Sequence, residues 1–324
     1  MSITITASAT DAVGATATTT TTVTQSGGYN NLTNWPSAAN RPTISGNTLS
    51  WIGPIGGGPS TSNDVSQSRI LTSSGPISTS SNGQVIEGKD IVGQVHIDHD
   101  NVILRQCRIR WNSASTYAIS SGCVIETDAS NVVVEDCMIS DNGGNGQQNG
   151  INIGWFNTGK PQNTIRRCNV FRFGNMIPSQ SRILAIDNWF HLGRGDVDHM
   201  DMFELYGNAP GGGSQDVVIR HNCLDGRDNL GINNIGINMT NEQGGFVKNI
   251  TIDNNAFLQS GTYYAIGGGD IGTGGAMNFS ATNNGFFNVG IRQPGISCSP
   301  NSGNFLMSTA TSTSGSLVNG NGII

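Results

Sequence analysis

Short bursts of alternating apolar and polar residues return along this chain in nearly the same wording. The first clear one is NVILRQCRI at 101–109; NVVVEDCMI (131–139), QNTIRRCNV (162–170), RILAIDNWF (182–190), DVVIRHNCL (216–224), NITIDNNAF (249–257) and NFSATNNGF (278–286) follow. Apolar residues hold the second and fourth positions in Val102 and Leu104, Val132 and Val134, Val217 and Ile219, and Ile250 and Ile252. Period two predicts a strand with one buried face. The third position is often β-branched, as at Ile103, Val133 and Val218, which suits a strand's outer face. A further apolar position recurs at Ile109, Ile139, Val170, Phe190, Leu224, Phe257 and Phe286. Each burst therefore predicts a short strand, a turn and a second short strand.

The turn carries one column of residues: Cys107, Cys137, Cys168, Asn188, Asn222, Asn255 and Asn284, spaced by 30, 31, 20, 34, 33 and 29 residues. A regular return at this length indicates stacked repeats and not one closed core. Gly and Asn interrupt every window long enough for a crossover helix. The expected architecture is all-β, with parallel strands coiled so that each turn stacks on the last. An Asn above an Asn, about 4.8 Å away, can pass amide hydrogen bonds along the file. Cys fills the same interior position as a small, readily buried side chain. The segments NGINIG (149–154), DMFELYG (201–207), NIGINMT (234–240) and YYAIGG (263–268) predict another sheet. Ile151, Ile153, Phe203, Leu205, Ile235, Ile237 and Ile266 would point inward there, with Asn152, Glu204 and Asn238 outward in a row.

These coils are expected over 84–290. Residues 1–24 hold two alternating Thr/Val/Ile-rich runs around a turn at Asp11–Gly14, a β-hairpin or arm. A lone hairpin is marginal in water, so it should pair with a neighbouring chain, pack on the coils, or be left over from a longer protein. Residues 25–83 are rich in Gly, Ser, Asn and Pro, with Trp35 and Trp51 as anchors. They are expected to form a linker and then an N-terminal cap over the open strand edges. Residues 291–324 are expected to form a C-terminal coil and closing segment, or an oligomer contact.

Composition narrows the partners. Net charge is −6, with only 12% charged residues, which argues against a nucleic-acid groove. No apolar run approaches the roughly 20 residues of a membrane span. The six Cys show no CxxC or Cys/His metal spacing, so they are expected to be buried free thiols. The opening MSITITASATDA lacks the regions of a secretion signal.

The repeat pattern resembles the right-handed parallel β-helix family, the pectate-lyase-like superfamily, over about residues 84–290. The hairpin at 1–24 resembles the last hairpin of a bacterial immunoglobulin-like domain. The resemblance implies a right-handed parallel β-helix solenoid with an N-terminal hairpin and cap. That superfamily includes polysaccharide lyases, hydrolases and epimerases, phage tailspike depolymerases, and non-catalytic adhesins and virion parts, so fold does not choose among activities. The expectation is a polysaccharide-binding, polysaccharide-degrading protein of a phage particle or bacterial surface. Its partners would be an acidic polysaccharide and, as in tailspikes, a homotrimer or other virion proteins. The competing expectation is a non-catalytic structural virion component, a tail or head-decoration protein, or an adhesin.

Chemistry concentrates at GRGDVDHMDMFELYG, from Gly193 to Gly207. HMDMFELYG resembles the H-x-D-G-I-Q-x-x-G phrase of β-helix proteins: His199 and Asp201 match, while Met202 replaces its Gly and Glu204 its Gln. Three roles stand open. Asp196, Asp198 and Asp201 would supply oxygen ligands to Ca²⁺. Asp201 and Glu204 would form an acid and base pair for glycoside hydrolysis. His199 would take a proton beside a uronate carboxylate in a lyase or epimerase, with Arg166, Arg220 or Lys248 holding the sugar acid. Arg105, Arg166 and Arg220 fall in one outward column, a candidate basic stripe. Asn152, Asn238 and Tyr206 complete the expected substrate contacts.

Overall fold

The computed structural model describes residues 2–10, 16–24, 35–111, 123–127, 129–142, 149–153, 161–179, 182–195, 200–208, 212–213, 215–227, 230–231, 235–243, 247–258, 264–268, 278–288, 290–292, 301–311 and 315–317. None of these is helical; the strands gather into three long, almost wholly parallel sheets of nine, ten and eleven strands. The chain visits the three in fixed rotation. Lys89–Val92 lies in the eleven-stranded sheet, Val95–Ile97 in the ten-stranded and Ile103–Arg105 in the nine-stranded, before Arg108–Trp111 returns to the first. One pass through the three sheets is a circuit. Equivalent strands of successive circuits pair in register, as Ile103 does with Val133 and Val133 with Thr164.

The alternating bursts build the nine-stranded sheet. Val102, Leu104, Ile183, Ala185, Val217, Ile219 and Ile252 are fully buried in one continuous core. The same core takes the apolar position after the turn, where Phe257 stacks on Phe286 at 5.1 Å. At the corner leading to the eleven-stranded sheet, every circuit places one residue in the left-handed region. Gln106 (φ 55°), Asp136 (54°), Arg167 (50°), Asp187 (60°), His221 (50°), Asn254 (55°) and Asn283 (56°) occupy it in turn. Asn and Asp tolerate this conformation better than Arg or His. Arg167 and His221 are each fixed there by a buried carboxylate of the preceding circuit, at 2.8 Å from Asp136 and 2.5 Å from Asp187.

The next residue in each circuit is the expected column. From Asn188 onward it is an amide ladder. The Oδ1 atoms of Asn188, Asn222, Asn255 and Asn284 accept from the backbone N–H of Cys168, Asn188, Asn222 and Asn255, each at 2.9 Å. Their Nδ2 groups donate inward to the carbonyls of Ile165, Ala185, Ile219 and Ile252. Asn304 extends the file by one member, accepting from the N–H of Asn284 at 2.9 Å. Cys107, Cys137 and Cys168 are fully buried and free. Their thiols face the matching carbonyls of Ile86, Leu104 and Val134 at 3.9, 3.7 and 3.7 Å.

Residues 35–71 lie along the flank of the circuits. They contain a three-stranded antiparallel sheet, Thr43–Ser45, Thr48–Gly53 and Val65–Ile70. Leu49, Trp51 and Leu71 pack there with Met138. Trp35 stacks on His221 at 5.8 Å, Asn169 donates to the carbonyl of Pro42 at 2.8 Å, and Arg167 donates to that of Gly58 at 2.6 Å. Gly57 needs its missing side chain: at φ +86° a Cβ would lie 2.4 Å from Oε1 of Glu135. This strap crosses several circuits at the left-handed corner. The first circuit, Thr72–Ser74, Ile77–Ser78 and Val85–Glu87, is largely exposed and rich in Ser and Thr, and its short strands end the three sheets. Short polar edges discourage pairing with foreign strands. Ser2–Thr10 and Thr16–Thr24 pair antiparallel as a separate two-stranded sheet.

Candidate functional site

The ten-stranded sheet carries the described part of the acidic cluster. Asp201 and Glu204 both belong to Asp201–Asn208, whose Phe203 and Leu205 enter the core. In-register pairing places Asn175 beside Asp201, and Glu204 beside Pro178 on one side and Asn238 on the other. Two diagonal bonds follow from that register. Asn175 donates through Nδ2 to Oε2 of Glu204 at 2.5 Å, and Asn238 donates to Oδ2 of Asp201 at 3.0 Å. The N–H of Asp201 also donates to Oδ1 of Asn175 at 3.3 Å. Asn175 therefore touches both acidic residues. It is a site member that sequence inspection missed, although it shares Asp201's register position one circuit earlier.

Asn152, Glu204 and Asn238 stand at one register position of this sheet, as the alternation predicts. Facing outward does not leave them open to water, although Asn238 is half-buried. Asn152 and Glu204 are 5% and 1% exposed, and Asp201 is fully buried. Asp201 and Glu204 are bonded by Asn238 and Asn175. Tyr206, half-buried, lies on the same strand as Glu204, beside Thr240. His199, Asp196 and Asp198 lie outside the described residues. Among the described residues no group of three His, Cys, Asp or Glu side chains could hold a metal ion.

The cations expected to hold a sugar acid are on another sheet. Arg105, Arg166 and Arg220 do share a column of the nine-stranded sheet, but the column reads Glu87, Arg105, Glu135, Arg166, Ile186, Arg220, Asp253, Thr282, Ser302. Arg105 bonds Glu87 at 2.7 Å, Arg166 bonds Glu135 at 2.7 Å, and Arg220 bonds Asp253 at 3.1 Å. The expected basic stripe is an alternating ion-pair ladder, because each arginine stacks on a carboxylate one circuit away. Lys248 begins a strand of the same sheet, opposite Gln215. None of these three cations lies on the sheet that holds Asp201 and Glu204.

A second charged cluster sits under the strap. Arg167, 0% exposed, bonds Asp136 and Glu135; Asp187 accepts from Ser60 at 2.7 Å and pairs with His221. Burial pushes the Asp136 carboxyl above its ordinary range, and Arg167 offsets this only in part. Burial is the largest single influence on Asp187 and raises it, but the bond to His221, the charges of His221 and Arg41 and the bond from Ser60 together hold that carboxyl low. Burial lowers Arg41 beside them. These bonds join successive circuits to one another, and through Ser60 and Gly58 join the strap to the circuits, so we assign the cluster a structural role. On the eleven-stranded sheet, burial lowers His191 to about 4, and the ring stacks on Trp189 at 3.6 Å. Asn169 gives its Nδ2–H to Pro42, so its Oδ1 faces His191, which donates from Nε2 as a neutral ring at 2.8 Å.

No protein-family model matches this chain, and no match was found among curated proteins or solved structures.

Proposed function

We propose that the three-sheet rotation is a right-handed parallel β-helix of a phage particle or bacterial surface, and that it binds and hydrolyses polysaccharide on the outer side of its ten-stranded sheet. One observation carries the choice of site: Asp201 and Glu204 lie on one strand, and Asn175 bridges them by donating to the Glu204 carboxylate and accepting from the backbone N–H of Asp201. In this role one carboxyl would protonate the leaving glycosidic oxygen while the other acts as base or nucleophile. The lyase alternative has less support, since Arg166, Arg220 and Lys248 stand on a different sheet. Binding at Asp201 and Glu204 would require displacement of whatever now excludes water from them.

The second reading is a non-catalytic shaft of a virion or adhesin. It is favoured by the exposures of 0% and 1% at Asp201 and Glu204, which fit a polar network that fixes strand register. One experiment separates the two. D201N and E204Q proteins, checked for folding by circular dichroism, are assayed against a panel of neutral and uronate-containing glycans for binding and for new reducing ends. The enzymatic reading expects cleavage by the wild type and a loss of at least about 100-fold in each variant. Folded variants that match the wild type on every glycan would leave only the shaft.

A further inference from the structure

We propose that Cys107, Cys137 and Cys168 form an internal redox site in which Cys137 closes a disulfide with a neighbouring ladder thiol. The three occupy one interior position in successive circuits, and all are fully buried and reduced here. In-register parallel strands place equivalent Cα atoms about 4.8 Å apart. A disulfide accepts Cα separations of about 4.4 to 6.8 Å, so the circuits need not move apart or slide. Register is secured on both sides of the file: Met138 N–H bonds the carbonyl of Cys107, and Asn169 N–H that of Cys137, both at 2.9 Å. Cys137 has one ladder thiol a circuit before it, Cys107, and one a circuit after it, Cys168. Being central, it belongs to any link the file can make, and one thiol is always left over.

The asymmetry of the environment sets the order of events. The hydrogen bond from Cys137 lowers Cys107, whereas burial pushes Cys137 well above the usual thiol range. Cys107 is thus the sulfur more readily present as thiolate. With hydrogen peroxide as a small oxidant, the Cys107 thiolate attacks one peroxide oxygen, becoming a sulfenic acid and releasing hydroxide. Hydroxide takes up the proton first lost by Cys107, giving one water. The Cys137 sulfur then attacks the Cys107 sulfur, the S–O bond breaks, and the hydroxyl leaves with the Cys137 proton as the second water. Two thiols are oxidised to one disulfide and one peroxide is reduced to two waters.

The test treats the folded full chain with hydrogen peroxide, blocks free thiols under denaturing conditions, then reduces, labels and maps the peptides. The expected result is the loss of two thiols per chain, with Cys137 in every linked pair. C137S should show no link within the file, while C107S and C168S should each form the one link left to them. Those two variants decide the matter if C137S does not fold. Three unchanged thiols, direct passage to sulfinic acid, or a Cys107–Cys168 link would overturn the proposal.

Discussion

An Asn in the interior column carries more than its size suggests. Asn222 donates to the carbonyl of Ala185 and accepts from the N–H of Asn188. Truncation to Ala strands both backbone groups in a dry corner, at roughly 1–3 kcal/mol for each unsatisfied group. A Cys at the same place offers no oxygen to the preceding N–H. N222A should therefore lower stability by about 2 kcal/mol more than C137A does, as read from denaturant midpoints at constant slope. Arg167 gives a sharper test. R167A leaves Asp136 charged and alone in the interior and should cost about 3–5 kcal/mol, whereas the double variant R167M/D136L should recover most of that. The ladder was legible because its members recur at fixed places within a repeated phrase. The basic stripe was misjudged for a related reason. Arg105, Arg166 and Arg220 stand out by eye, while Glu87, Glu135 and Asp253 reveal themselves as column partners only once circuits of unequal length are stacked.

At the scale of elements, the strap at 35–71 is held by side chains reaching backbone. Ser60 and His221 both bind Asp187, and Trp35 covers His221. The folded Asp187 carboxyl titrates below its unfolded value of about 4, so its contribution is complete above that pH and is lost as pH falls through the folded value. The stability gap between wild type and D187N should be widest at neutral pH and close under acid. Asp136, raised by burial, has the opposite sign: its neutral form is favoured in the fold, and stability is lost as pH rises through its folded value. Denaturant titrations of both proteins between about pH 3 and 7 would check the gap. Little of the strap was legible in advance. Pro, Gly and Ser carry no periodicity, and their partners depend on corner residues spread over many circuits. Asp201 and Glu204 were legible as a pair; Asn175 was hidden because its pairing with them lies across circuits and not along the chain.

For the molecule as a whole, the strap ties together segments far apart in sequence: Gly58 meets Glu135 and Arg167, Ser60 meets Asp187, and Trp35 meets His221. Each partner comes from a later circuit. During synthesis the early segment leaves the ribosome long before the surface that receives it exists. Winding of the circuits must reach the one containing His221 before Trp35 has a seat. The strap, made before the circuits that receive it, is thus among the last parts of this fold to settle, and until then the corner carrying Arg167 and Asp187 is left bare.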